Sequence, residues 1–142
     1  MAEVVITPTQ QGTGRIVNAL CVDGLDLGTV KTPWGNKPQV KFVFETDEQD
    51  AYGEHRILVR TFHKHTHPMS ALSIAVKSWC GRDLEQEEAI GTLDLTSLVG
   101  EQVRLKLQPT LTKNGGSFDK IVEFLPPGEV HVQPTKYQRE ED

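Results

Sequence analysis

The chain has 142 residues, with 20 acidic and 15 basic side chains and a formal charge of −5. That length suits one domain burying roughly two thirds of its unfolded surface, and the acidic balance argues against a protein that coats nucleic acid by bulk charge alone. Cys21 and Cys80 are isolated in sequence and no apolar run of bilayer length, leader or lipidation signal is read, so a soluble protein of a reducing cytoplasm, with no membrane partner, is expected.

Residues 1–14, "MAEVVITPTQQGTG", read as a polar, Gly-punctuated lead-in or short edge strand. From Arg15 to Leu25 the apolar positions Ile16, Val17, Leu20, Val22 and Leu25, with Gly24 among them, suit a curved first strand with a bulge. "GTVKTPWGNKP" (28–38) holds two Pro and two Gly around Trp34 and is expected to be a loop. "PQVKFVFET" (38–46) alternates as a second strand. The acidic turn "DEQDAYGE" joins it to "HRILVRTFH" (55–63), giving a hairpin.

After Pro68 the period changes. Met69, Leu72, Ala75, Val76 and Trp79 fall at helical spacing, with Gly81 as a stop and Trp79 expected in the core. "RDLEQEEAIG" predicts a second, shorter helical turn capped by Asp83. "EQVRLKLQP" (101–109) is a fourth strand, "TKNGGS" a hairpin turn, and "FDKIVEFL" (118–125) the fifth strand. Residues 126–142 are Pro-rich and polar, end in the acidic "QREED", and read as a mobile tail.

Three strands, a helix and two strands is the order of a mainly β, OB-fold-like Greek-key barrel, with strands two and three forming a common oligonucleotide-binding face. A β-sandwich with a helical insert is the alternative. The expected organisation is a lead-in (1–14), the OB-fold-like domain (15–125) and an acidic tail (126–142).

Four segments also resemble a known family: "WGNKPQVKFVFE" (34–45), "HPMSALSIAVKSWCGRDLEQEE" (67–88), "LDLTSLVGEQVRLKL" (93–107) and "GGSFDKIVEFLPPG" (115–128). Together they are similar to small bacteriophage and viral-metagenome proteins regarded as OB-fold-like binders of single-stranded DNA. The resemblance implies that fold, that partner and, for a phage protein, the host cytoplasm. Members often carry one His before the helix, whereas this chain has His63, His65 and His67.

Same-face residues of a strand lie about 7 Å apart, so three successive histidines cannot converge on one ion without bending the chain. Metal is therefore the minority reading of His63, His65 and His67. The bland reading is a strand end or loop rim that happens to be His-rich, and contact with nucleic acid by His63, His65 and the intervening Lys64 is the intermediate one. Trp34 between Lys31 and Lys37 suits base stacking beside phosphate-binding cations; its bland reading is a cover over an open barrel end. On strands two and three, Phe42, Phe44, Ile57 and Val59 are assigned to the core. That leaves Lys41, Glu45, Arg56 and Arg60, with Val43, Leu58 and Phe62, for an outer face that mixes cations with apolar area. Its bland reading is a solvated face or dimer interface.

No nucleophile elbow, P-loop or metalloprotease motif is present, so neither catalysis nor a cofactor is expected, and Cys80 is read as packed. The expected activity is binding of single-stranded DNA without sequence preference, supporting replication or recombination. The acidic tail has two readings: a solvated end that serves solubility alone, or, by its resemblance to the tails of phage and bacterial single-strand binding proteins, a recruiter of replication partners. The alternative is a non-catalytic phage interaction or assembly module on the same barrel, homo-oligomeric and without DNA affinity.

Overall fold

A computed structural model describes residues 14–49 and 51–134. The lead-in up to residue 13 and the acidic end of the tail, 135–142, lie outside the described residues. The elements are β1 (Arg15–Thr32), β2 (Gly35–Gln49), β3 (His55–His63), α1 (Ala71–Cys80), α2 (Leu84–Ile90), a 3₁₀ turn (Leu95–Leu98), β4 (Gln102–Leu111) and β5 (Ser117–Leu125). The strands form one antiparallel sheet in the order β3-β2-β1-β4-β5.

β1 organises the sheet because two partners share it. Its first six residues pair with β4 (Arg15↔Leu107 to Leu20↔Gln102), and from Ala19 onward it pairs with β2. Extra residues at Val22 and Leu27 break the register with β2. Each such bulge bends the strand and raises its twist, which lets β1 turn from one partner to the other.

β1 and β2 also run further than expected. Residues 28–38 are not a loop but the distal part of a β-hairpin, with Val30 opposite Lys37 and Thr32 opposite Gly35. Pro33 and Trp34 form the turn. The Thr32 hydroxyl accepts from Trp34 N–H and donates to the Gly35 carbonyl, and Gly35 takes φ 107°. That backbone conformation strains any side chain with a Cβ.

β3 corrects the predicted facing. Val40 lies opposite Phe62, Phe42 opposite Arg60 and Phe44 opposite Leu58, and directly opposed residues share a face of a sheet. Leu58, Arg60 and Phe62 are therefore on the core side with Phe42 and Phe44, while Ile57, Val59 and Thr61 point outward with Glu45, Val43 and Lys41. Phe62 is 4% exposed and Val59 49%. "HRILVRTFH" offers apolar residues in both phases. The larger area buried by the Phe62 ring decides between them, and a one-residue slip would turn the whole set over.

The core is built around packed aromatic rings. Phe44 and Phe124 sit 5.7 Å apart, Phe62 and Phe124 5.8 Å, and Trp79 stacks on Phe124 at 6.0 Å. As expected Trp79 is buried, at 2%, and its Nε1 donates to the Gln102 carbonyl at 2.9 Å. α1 is capped by Ser70 and Gly81, and it buries Leu72, Ala75, Val76 and Trp79. α2 is capped by Asp83, as predicted. Cys21 is buried, which pushes its thiol up to about 12, but Cys80 is exposed at the end of α1 rather than packed. After β5 the chain docks back rather than leaving as a free tail. Val132 is buried, and its N–H and C=O bond the Gln102 side chain at 2.9 Å each.

The barrel expected from the strand order is not closed, since β3 and β5 do not pair. Side chains span the seam between them instead. Arg60 Nη1 donates to the Ile121 carbonyl at 2.9 Å, and the guanidinium carbon Cζ lies 4.5 Å from the Phe62 ring centroid. At the other end Arg15 of β1 and Arg56 of β3 both clasp Glu48 of β2 and Asp119 of β5, at 2.6–3.0 Å for the ion-paired atoms. Arg15 and Arg56 thus tie four strands together. Their guanidinium groups hold the Asp119 carboxyl down at about 2 and lower that of Glu48.

Candidate nucleic-acid interface

The predicted contact residues divide into two groups. Arg56, Arg60 and Phe62 belong to the seam and the core. Arg56 is held by Glu48 and Asp119, Arg60 is half-buried with desolvation lowering its pKa, and the Phe62 ring is covered. These three were assigned to the outer face on the wrong phase of β3. The pattern extends further: Arg82 is clasped by Glu87 and Arg104 donates to the Pro126 carbonyl, so all five described arginines hold the fold together.

Lysines remain for solvent. Among the described residues no ion pair involves Lys31, Lys37 or Lys41. Lys37, Gln39 and Lys41 alternate along a stretch of β2 that itself carries no bulge, and so share one face. That face continues across to Thr61 and His63, which pair with Lys41 and Gln39. Lys31 lies opposite Asn36 and so points to the other face of the hairpin. Trp34 is 79% exposed at the tip, so it does not fold back as a cover over the sheet.

The interface has a limit along β2. Val43 and Glu45 point the same way as Lys41 but are buried, and both lie outside the core cluster. The solvent-accessible part is therefore the distal stretch, from Lys41 and Thr61 to the Trp34 tip. Comparison of the chain with protein-family models, curated proteins and solved structures found no match.

His63 is the last residue of β3, and Lys64, His65 and His67 occupy the loop that follows. Lys64 N–H bonds the Pro38 carbonyl at 2.8 Å, anchoring this loop to the base of the hairpin arm, and its ammonium pairs with Asp26. The pairing and the Gly28 N–H lower the Asp26 carboxyl below its usual range. Lys64 is a partly neutralised cation and a weaker phosphate ligand than Lys37 or Lys41. His63, His65 and His67 are exposed, but two of them use a ring nitrogen locally. Nδ1 of His65 accepts from His67 N–H at 3.2 Å, and Nδ1 of His67 accepts from Met69 N–H at 3.0 Å. Among the described residues no three His, Cys, Asp or Glu side chains are placed to hold a metal ion. No helix there is long and apolar enough to cross a membrane.

Sequence reasoning missed the hairpin arm itself. Its signal was the β-branched run Thr29, Val30 and Thr32 before Pro33, outweighed by the surrounding Gly and Pro. It also missed a pocket at the base of the arm, lined by Gly24, Asp26, Val40, Phe42, Lys64 and the segment 93–96.

Proposed function

We propose that this chain is a phage-type, OB-fold-like protein that binds single-stranded DNA through the β1–β2 arm, supporting replication or recombination in the host cytoplasm. The observation that carries the reading is Trp34, exposed at the arm's tip, with Lys31, Lys37 and Lys41 behind it and unpaired among the described residues. A base stacked on an accessible aromatic ring is worth roughly 1–3 kcal/mol regardless of its identity, and nearby ammonium groups meet the backbone phosphates. The OB-like description is supported by a bulged β1 shared between β2 and β4, and by α1 lying between β3 and β4 in the chain.

The contact set is Lys31, Trp34, Lys37, Lys41 and His63, with Lys64 and His65 at its rim. Three lysines released from counterions give a slope of about −2 in log affinity against log salt. Labelled oligo-dT followed by anisotropy should thus lose roughly 15- to 20-fold in affinity between about 50 and 200 mM salt. No binding at either salt removes the proposal. A recruiting role for the acidic tail, "QREED", belongs to the same reading.

A second reading, an oligomeric interaction module without DNA affinity, is favoured by one observation. The seam leaves Ile74 and Val122 exposed beside the edges of β3 and β5, which are unpaired among the described residues, and unpaired edges template association. Light scattering that finds an oligomer in a protein inert to oligo-dT selects this reading.

A further inference from the structure

At the base of the arm, between the β1–β2 hairpin and the 3₁₀ turn, lies a pocket of about 210 Å³. Val40, Phe42, Leu93 and Leu95 make its walls apolar. Gly24 also lines it, and a Cβ there would come within 3.2 Å of the Phe42 ring and of Val99. The absent side chain therefore keeps this part of the pocket clear. Drug-sized ligands occupy roughly 300–1,000 Å³, so this space suits a single planar ring system.

The pocket's polar groups are few and opposite in character. Asp94 caps the 3₁₀ turn through Oδ1, which accepts from Thr96 N–H at 3.0 Å and from the Thr96 hydroxyl at 2.6 Å. Thr96, with the Arg82 guanidinium and the Ser97 N–H that also face the carboxyl, lowers it below its usual range, while among the described residues no hydrogen bond is directed at Oδ2. The Asp94 carboxylate is thus fixed in position with one acceptor to spare. Lys64 supplies an ammonium donor on the rim, oriented by Asp26. Apolar walls with a few placed polar groups are the usual composition of a small-ligand site.

We infer that this pocket receives one unstacked nucleobase and favours bases that carry an exocyclic amino group. The amino group would donate to Asp94 Oδ2, while Lys64 faces a ring nitrogen or carbonyl acceptor. Thymine fits this arrangement worst, because its only base N–H lies between two carbonyl oxygens that a carboxylate repels. A base of the strand held by the arm would reach the pocket by leaving the stack, at lower cost from a single strand than from a duplex. The inference rests on the nucleic-acid reading of the arm. It adds a base preference to binding that the arm alone would make without one.

Free nucleosides test the pocket apart from the arm, since they carry no phosphate. In an amide-resolved NMR titration of the full chain, cytidine and adenosine should shift Gly24, Leu95 and Thr96 saturably, and thymidine should bind at least tenfold more weakly. Asp94→Asn keeps a residue that caps well, so the fold should persist while cytidine binding weakens about tenfold. Equal shifts with thymidine, no saturable shift with any nucleoside, or an unchanged cytidine response in the folded Asn variant would each overturn the inference. Oligo-dT binding with a silent pocket defeats the pocket alone. Pocket shifts without oligo-dT binding defeat the reading of the arm alone.

Discussion

Replacing Asp119 by Asn puts the four-strand clasp to a quantitative test. Arg15 and Arg56 bring the Asp119 carboxyl from 3.8 to about 2, and at 1.36 kcal/mol per unit that is roughly 2.4 kcal/mol of differential interaction. The Arg15 side chain is 40% exposed, so solvent screening reduces the contribution to about 1–2 kcal/mol. The sign follows from the folded pKa being the lower one. The stabilisation is complete above the unfolded value near 4 and is lost as pH falls through about 2. Urea unfolding at a series of pH values should therefore show the Asn variant about 1–2 kcal/mol less stable at pH 7, with the gap narrowing below pH 4. A gap that is absent at neutral pH, or that stays constant down to about pH 2, refutes the role assigned to the clasp.

Arg60→Ala should cost about 1–3 kcal/mol, since it strips a charged donor from the Ile121 carbonyl and a cation from the Phe62 face. Because Arg60 is assigned to the seam, the variant's salt dependence of oligo-dT binding should match the wild type. Lys37→Ala and Lys41→Ala should each lower the magnitude of that slope by about 0.7, with stability by urea unfolding unchanged within about 0.5 kcal/mol. Trp79→Ala should lose about 3–5 kcal/mol in the same assay, from the cavity beside Phe44 and Phe124 and the lost bond to Gln102.

Much of the fold was legible where one physical signal dominated. The helical spacing from Leu72 to Trp79, the Asp83 cap and the alternation of Val103, Leu105 and Leu107 each correspond to an observed element. The signals competed elsewhere. In β3 both phases are apolar, so facing depended on tertiary packing of Phe62. In residues 28–38 turn chemistry at Pro33 and Gly35 was real but local, and the flanking ladder continued through it. Val132 docks through hydrogen bonds to a side chain 30 residues away, which composition cannot reveal.

The candidate site was legible in part for the same reason. Trp34, Lys31 and Lys37 stand out as an aromatic between cations, a pattern that needs no knowledge of the fold, and the structure leaves Trp34 exposed. Arg56 and Arg60 were assigned by strand phase and by charge. Their carboxylate and carbonyl partners come from β2 and β5, with Asp119 63 residues from Arg56 and Ile121 61 from Arg60. The pocket at the base of the arm joins β1, β2 and the segment 93–96, whose proximity only the folded chain establishes.

Intrinsic fluorescence tests the central claim most directly, because the chain has two tryptophans with opposite exposures: Trp34 at the arm's tip and Trp79 in the core. Titration with oligo-dT at about 50 mM salt should quench the solvent-exposed emission, weaken at about 200 mM, and vanish in Trp34→Ala while stability holds. Stacking worth 1–3 kcal/mol puts the accompanying affinity loss at roughly 5- to 150-fold. Binding of oligo-dT with unchanged emission, or with full affinity in the folded Ala variant, would contradict the arm as the DNA-binding element.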